Sequence, residues 1–141
     1  MIQRIQSLWL LLAGIAGLLT YELPIWIGTL QDGGIKSFVG TENLLFFAAT
    51  IATCLLGFIT IFLYKNRKTQ KSLASVGLLL SIMLIGLEIW IVGNYKTSQN
   101  FMESSWKFGA IMPILMMIFF FMAIQGIRRD EKLIKSLDRL R

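Results

Sequence analysis

The sequence predicts an all-α membrane protein: four transmembrane helices, N-in/C-in, with a C-terminal cytoplasmic amphipathic helix. Three observations lead there. Hydrophobic residues make up 55% of the 141 positions and the mean hydropathy is +0.67, values that belong to the membrane class. The apolar residues fall into four blocks, each near the length of about 20 residues that crosses a hydrocarbon core about 30 Å thick. The cations are sorted by segment. Arg4, four cations between Lys65 and Lys71, and six in the tail make eleven on one side, against Lys36, Lys96 and Lys107 on the other. The positive-inside rule then puts both termini in the cytoplasm.

The first block runs from Ser7 to Leu30. It is too long for a signal-peptide core and lacks a small-x-small cleavage site, so it is expected to be an uncleaved anchor. At 1.5 Å per residue it would extend about 36 Å, with Glu22 and Pro24 interrupting its outer third. Gln31 to Asn43, carrying Gly33, Gly34 and Gly40 with both signs of charge, is expected to be a flexible outer loop. Leu44 to Tyr64 contains no charge and is the cleanest span.

The basic octapeptide Tyr64 to Lys71 follows as the cytoplasmic loop, with Lys65, Arg67, Lys68 and Lys71 and no acid. The third span covers 72–92, apolar up to Glu88, with Trp90 and Tyr95 at the level of an outer aromatic belt. Gly93 to Lys107 is expected to be a polar outer loop. The fourth span covers 108–127, with Pro113 near its outer end. A four-helix transmembrane domain over 1–127 therefore precedes a basic cytoplasmic tail over 128–141. In the tail Leu133, Ile134, Leu137 and Leu140 share one helical face among Arg128, Arg129 and Lys132.

The chemistry is bounded by what is missing. The sequence has no His and one Cys, Cys54. An intrachain disulfide is therefore impossible, and zinc sites, Cys-His nucleophiles and Ser-His-Asp triads each lack a member. No catalytic, cofactor-binding or metal-binding residue is assigned, and Cys54 is expected to be an apolar packing residue. The Met112, Met116, Phe119 and Phe120 grouping is expected to be lipid-facing or packing surface.

The start Met1-Ile2-Gln3-Arg4-Ile5-Gln6-Ser7, the loop Tyr64-Lys65-Asn66-Arg67-Lys68 and the tail Arg129-Asp130-Glu131-Lys132-Leu133-Ile134 with Asp138-Arg139-Leu140-Arg141 carry a resemblance. The chain resembles the Bacteroidota integral membrane family known as domain of unknown function 4293, over its whole length and including the four-span layout. The resemblance implies the inner membrane of a diderm bacterium. It brings no activity or catalytic residues that could be transferred to positions here.

Glu22 and Glu88 lie 15 and 16 residues from the cytoplasmic ends of their spans, so at about 23–24 Å they have matching depth. Carboxylates placed there either form a shared proton or cation site or sit at headgroup level beside Lys36, Lys96 or Lys107. Small residues four apart, Ala13/Gly17, Ala48/Ala52 and Thr53/Gly57, permit close helix contact. The cytoplasmic cations are expected to meet anionic lipid headgroups or an acidic partner, with the apolar stripe of the tail in a groove. The absence of stacking aromatics beside them argues against nucleic acid. Two functions stay in play: a non-enzymatic accessory or scaffold subunit of an inner-membrane complex, and a small transporter or proton-linked carrier using Glu22 and Glu88.

Overall fold

The computed structural model describes residues 3–98 and 101–138. Helix α1 (Gln3–Glu22) is followed by strands β1 (Pro24–Leu30) and β2 (Ile35–Val39), helix α2 (Leu44–Phe62), helix α3 (Arg67–Ser98), strand β3 (Phe101–Trp106), a 3-10 turn (Phe108–Ile111) and helix α4 (Met112–Asp138). Among the described residues four helical segments are long and apolar enough to cross a membrane. Helix α1 packs on α2 and α4, and α3 packs on the same two, which closes a four-helix ring.

The helices turn leucines and isoleucines outward. Leu8, Leu11, Leu18, Leu55, Ile59, Leu79 and Ile82 are all exposed, an apolar surface far larger than a water-soluble monomer presents. Inside, Leu10, Ala13, Ala74, Phe120, Ala123, Ile124 and Ile127 form one core cluster, and Cys54, Leu84 and Met116 belong to a second. Phe119 is half-buried and stacked on Trp9 at 6.0 Å. Buried threonines bond back within their own helices, Thr20 to the Ala16 carbonyl and Thr50 to that of Phe46. Gly17 brings α1 close to α2, since a Cβ there would lie 2.2 Å from the Cys54 Sγ. Thr53 and Gly57 are buried on that side of α2, whereas Ala48 and Ala52 face outward.

The protein is not all-α, and this corrects the reading from sequence. The apolar block after Ser7 leaves the helix at Glu22 because Pro24 has no N–H to continue the ladder and its ring crowds the preceding turn. The β-branched and aromatic residues that follow, Ile25, Trp26, Ile27 and Thr29, suit a strand. β1 pairs antiparallel with β2 on one edge and with β3 on the other, giving the order β2-β1-β3. Gly33, at φ +78°, makes the turn between β1 and β2, and the Leu30 N–H donates to the Gly34 carbonyl at 2.8 Å. Gln31 to Asn43 and Gly93 to Lys107 thus contain strands rather than being wholly loop.

The sheet packs its inner face on the helix ends. Trp26 stacks parallel to Tyr95 (centroids 6.3 Å apart, planes 6°) and meets Phe101 edge-on at 4.9 Å. Phe38 meets Phe46 and Tyr95.

The octapeptide is also mostly helix. Asn66 closes a turn onto the Leu63 carbonyl, its side chain accepts from the Thr69 N–H at 3.3 Å, and α3 begins at Arg67. With 32 residues, α3 is about 48 Å long at 1.5 Å per residue, well beyond a hydrocarbon core of about 30 Å, so it overruns the apolar layer. Helix α4 likewise continues without a break from Met112 through Ile127 to Asp138.

Candidate functional site

The bundle has two chemically distinct ends. At the end bearing the chain termini, a polar network joins all four helices. Gln6 of α1 donates from its side-chain amide to Asp130 Oδ2 of α4. Arg67 of α3 faces the same oxygen at 3.9 Å, and Lys71 pairs with Glu131 at 3.3 Å. Gln70, buried, donates to the Thr60 carbonyl of α2 at 3.2 Å. Asp130 is only 6% exposed, so an ionised carboxylate there relies on its Gln6 and Arg67 partners. These contacts also offset an intrinsic misfit, because cations in the first turn of α3 oppose the positive end of that helix's dipole.

The cations expected to face a partner therefore divide. Arg67 and Lys71 are engaged within the bundle, whereas Lys65, Lys68, Arg128, Arg129 and Lys132 are exposed. Leu133 (50% exposed) and Ile134 (41%) stand outward beside them. Nothing is described of the Leu137 side chain, and Leu140 lies outside the described residues.

At the sheet-bearing end the two glutamates occupy different surroundings. Glu22 is exposed at the last turn of α1, whereas Glu88 is 3% exposed inside α3. Neither has an ion-pair partner among the described residues. Two of the three lysines proposed as neighbours lie over aromatic rings: Lys36 Nζ is 4.8 Å from the centre of the Tyr95 ring, and Lys96 Nζ 5.8 Å from that of Trp106. Among the described residues no group of three His, Cys, Asp or Glu side chains could hold a metal.

Sequence reasoning missed Gln6, Gln70, Asp130 and Glu131. A signal was present, since two glutamines sit beside apolar runs and the two acids interrupt a basic tail on the same side as the basic octapeptide. The aromatic set under the sheet had no comparable local signal.

A ring of four apolar helices with lipid-like outward faces, tied by polar contacts at one end and capped by a small sheet at the other, suggests a multi-pass helical membrane protein. Within that class the chain belongs to the family described as domain of unknown function (DUF4293), which matches residues 2–140. No curated protein and no solved structure is detectably similar to it.

Proposed function

We propose that the chain is a non-enzymatic accessory or scaffold subunit of an inner-membrane protein complex in a Bacteroidota bacterium, with both termini in the cytoplasm. The observation that carries this reading is the arm formed by α4. It runs past the polar network to Asp138, and it leaves Arg128, Arg129, Lys132, Leu133 and Ile134 exposed. Such a helix, apolar on one stripe and cationic around it, suits a groove on an acidic partner.

The arm can be separated from the bundle by ending the chain after Glu131, which spares both Asp130 and Glu131. Because Lys132, Leu133, Ile134 and Ser136 are exposed, stability should change by no more than about 0.5 kcal/mol. Recovery of partner proteins after mild-detergent purification should fall at least about tenfold, equivalent to about 1.4 kcal/mol. An unchanged partner set in a stable truncated protein counts against docking through the arm.

The orientation rests on the excess of Lys and Arg at the terminus-bearing end. Single cysteines replacing Lys68 and Ser104 test it with a membrane-impermeant thiol reagent. Ser104→Cys should label in intact spheroplasts and Lys68→Cys only after lysis; the opposite pattern inverts the topology.

Glu88 supports a second reading, a proton-linked carrier. An intramembrane carboxyl buried away from cations is a functional-site candidate by default. Glu22, exposed at the same end, would serve such a carrier as an entry group.

A further inference from the structure

The groove where α1 crosses α4, at the terminus-bearing end, has the polarity of an amphiphile. α1 contributes Ile5, Gln6 and Trp9, and α4 contributes Met122, Gln125, Gly126 and Arg129 around a space of about 210 Å³. Gly126 keeps it open while letting the helices approach, since a Cβ there would lie 2.8 Å from Gln6 Cγ. The two helices run in opposite directions, so Trp9 and Met122 both lie toward the bundle middle, with Arg129 at the mouth. Met122 and Arg129 are seven residues apart, about 10 Å along the helix. The groove is thus apolar at depth and cationic where the apolar layer ends.

That order selects the occupant. Arg129 is exposed and has no carboxylate partner among the described side chains, and neither do its neighbours Arg128 and Lys132. The nearest acids are already engaged, Asp130 by Gln6 and Arg67 and Glu131 by Lys71. A volume of about 210 Å³ is below the range of about 300–1,000 Å³ typical of enclosed small-molecule pockets, so the groove takes part of a longer molecule. Basic clefts between membrane helices hold phospholipid headgroups, and the apolar side chains of Ile5, Trp9 and Met122 that line the deeper part of the groove suit the first segment of an acyl chain.

We propose that the α1–α4 groove binds one anionic phospholipid, with its phosphate on Arg129 and Gln125 and one acyl chain along Ile5, Trp9 and Met122. This does not depend on the subunit reading, nor on which side of the membrane the groove faces.

The test uses the full chain in nanodiscs of equal parts phosphatidylcholine and phosphatidylglycerol, with retained lipids counted by native mass spectrometry. The wild type should retain phosphatidylglycerol over phosphatidylcholine by about fivefold, the effect of one cation near a membrane surface. Arg129→Gln should bring the ratio near one, whereas Arg128→Gln should leave it unchanged. Met122→Trp, which fills the apolar end, should reduce retention of both lipids.

Equal retention of the two lipids by the wild type overturns the proposal. So does an equal loss from the Arg128 and Arg129 variants, which would mean diffuse surface attraction. Displacement of phosphatidylglycerol by millimolar inorganic phosphate would mark an anion site without a lipid and would overturn it as well. Arg129 is a surface side chain, so its variant remains informative even where Met122→Trp fails to fold.

Discussion

Replacing Trp26 with alanine is expected to cost about 3–5 kcal/mol, the usual loss for a large aromatic removed from a core. Trp26 is fully buried on the central strand, between the Tyr95 ring of α3 and the Phe101 ring of β3. Its removal leaves a cavity in the core that the sheet shares with the helix ends. The loss should come from packing alone, because the indole Nε1 has no hydrogen-bond partner among the described residues. Trp26→Phe should therefore cost less than about 1.5 kcal/mol, as hydrophobic replacements of similar shape do. Unfolding in mild detergent measures both, and equal losses for the two variants would show that the ring stack is not what holds the cap.

Asp130→Ala is expected to cost about 2–3 kcal/mol at the opposite end. Removing one member of a buried pair commonly costs about 3–5 kcal/mol, because the other charge is left without compensation. The lower figure applies here because the 3.9 Å separation from Asp130 is longer than a hydrogen-bonded ion pair and the Arg67 side chain as a whole is 26% exposed, although the Nη1 that faces Asp130 is buried. The same substitution strands the Gln6 amide, whose donor goes to Asp130. Asp130→Asn can keep that hydrogen bond while discarding the charge and should recover about half of the loss. If Asp130→Asn were as damaging as alanine, the charge pair with Arg67 would dominate over the Gln6 bond.

The helices were legible in the sequence because each carries its own evidence. Leu44 to Tyr64 was expected and Leu44–Phe62 is helical. A charge-free run of that length has few other solutions in a membrane, and Asn43 caps its start. The sheet was not legible. Pro24-Ile25-Trp26-Ile27-Gly28-Thr29-Leu30 is as apolar as the helix before it, so hydropathy merges the two, and only Pro24 and the β-branched residues hint at the break. Phe101 to Trp106 is polar enough to pass as loop, and its partner strand is distant in sequence. The same limit hid the terminus-bearing network. Gln6 and Asp130 are each unremarkable in local context, and what brings them together is the packing of α1 on α4. Glu88 was singled out for its position in an apolar run and is buried. Glu22, at equal depth by residue count, is exposed because its helix ends there.

The register of the sheet also sets the order in which the molecule can be completed. β1 is synthesised directly after α1, yet the strand on its far side arrives much later: Trp26 lies opposite Trp106, 80 positions on. Until then β1 has only β2, and a lone two-stranded hairpin is marginal in water. The sheet can therefore close only after α2 and α3 have been made, whereas the Gln6–Asp130 contact at the other end must wait for the last turns of α4. During synthesis, a tryptophan-bearing strand with one open edge distinguishes a half-inserted chain from a finished one.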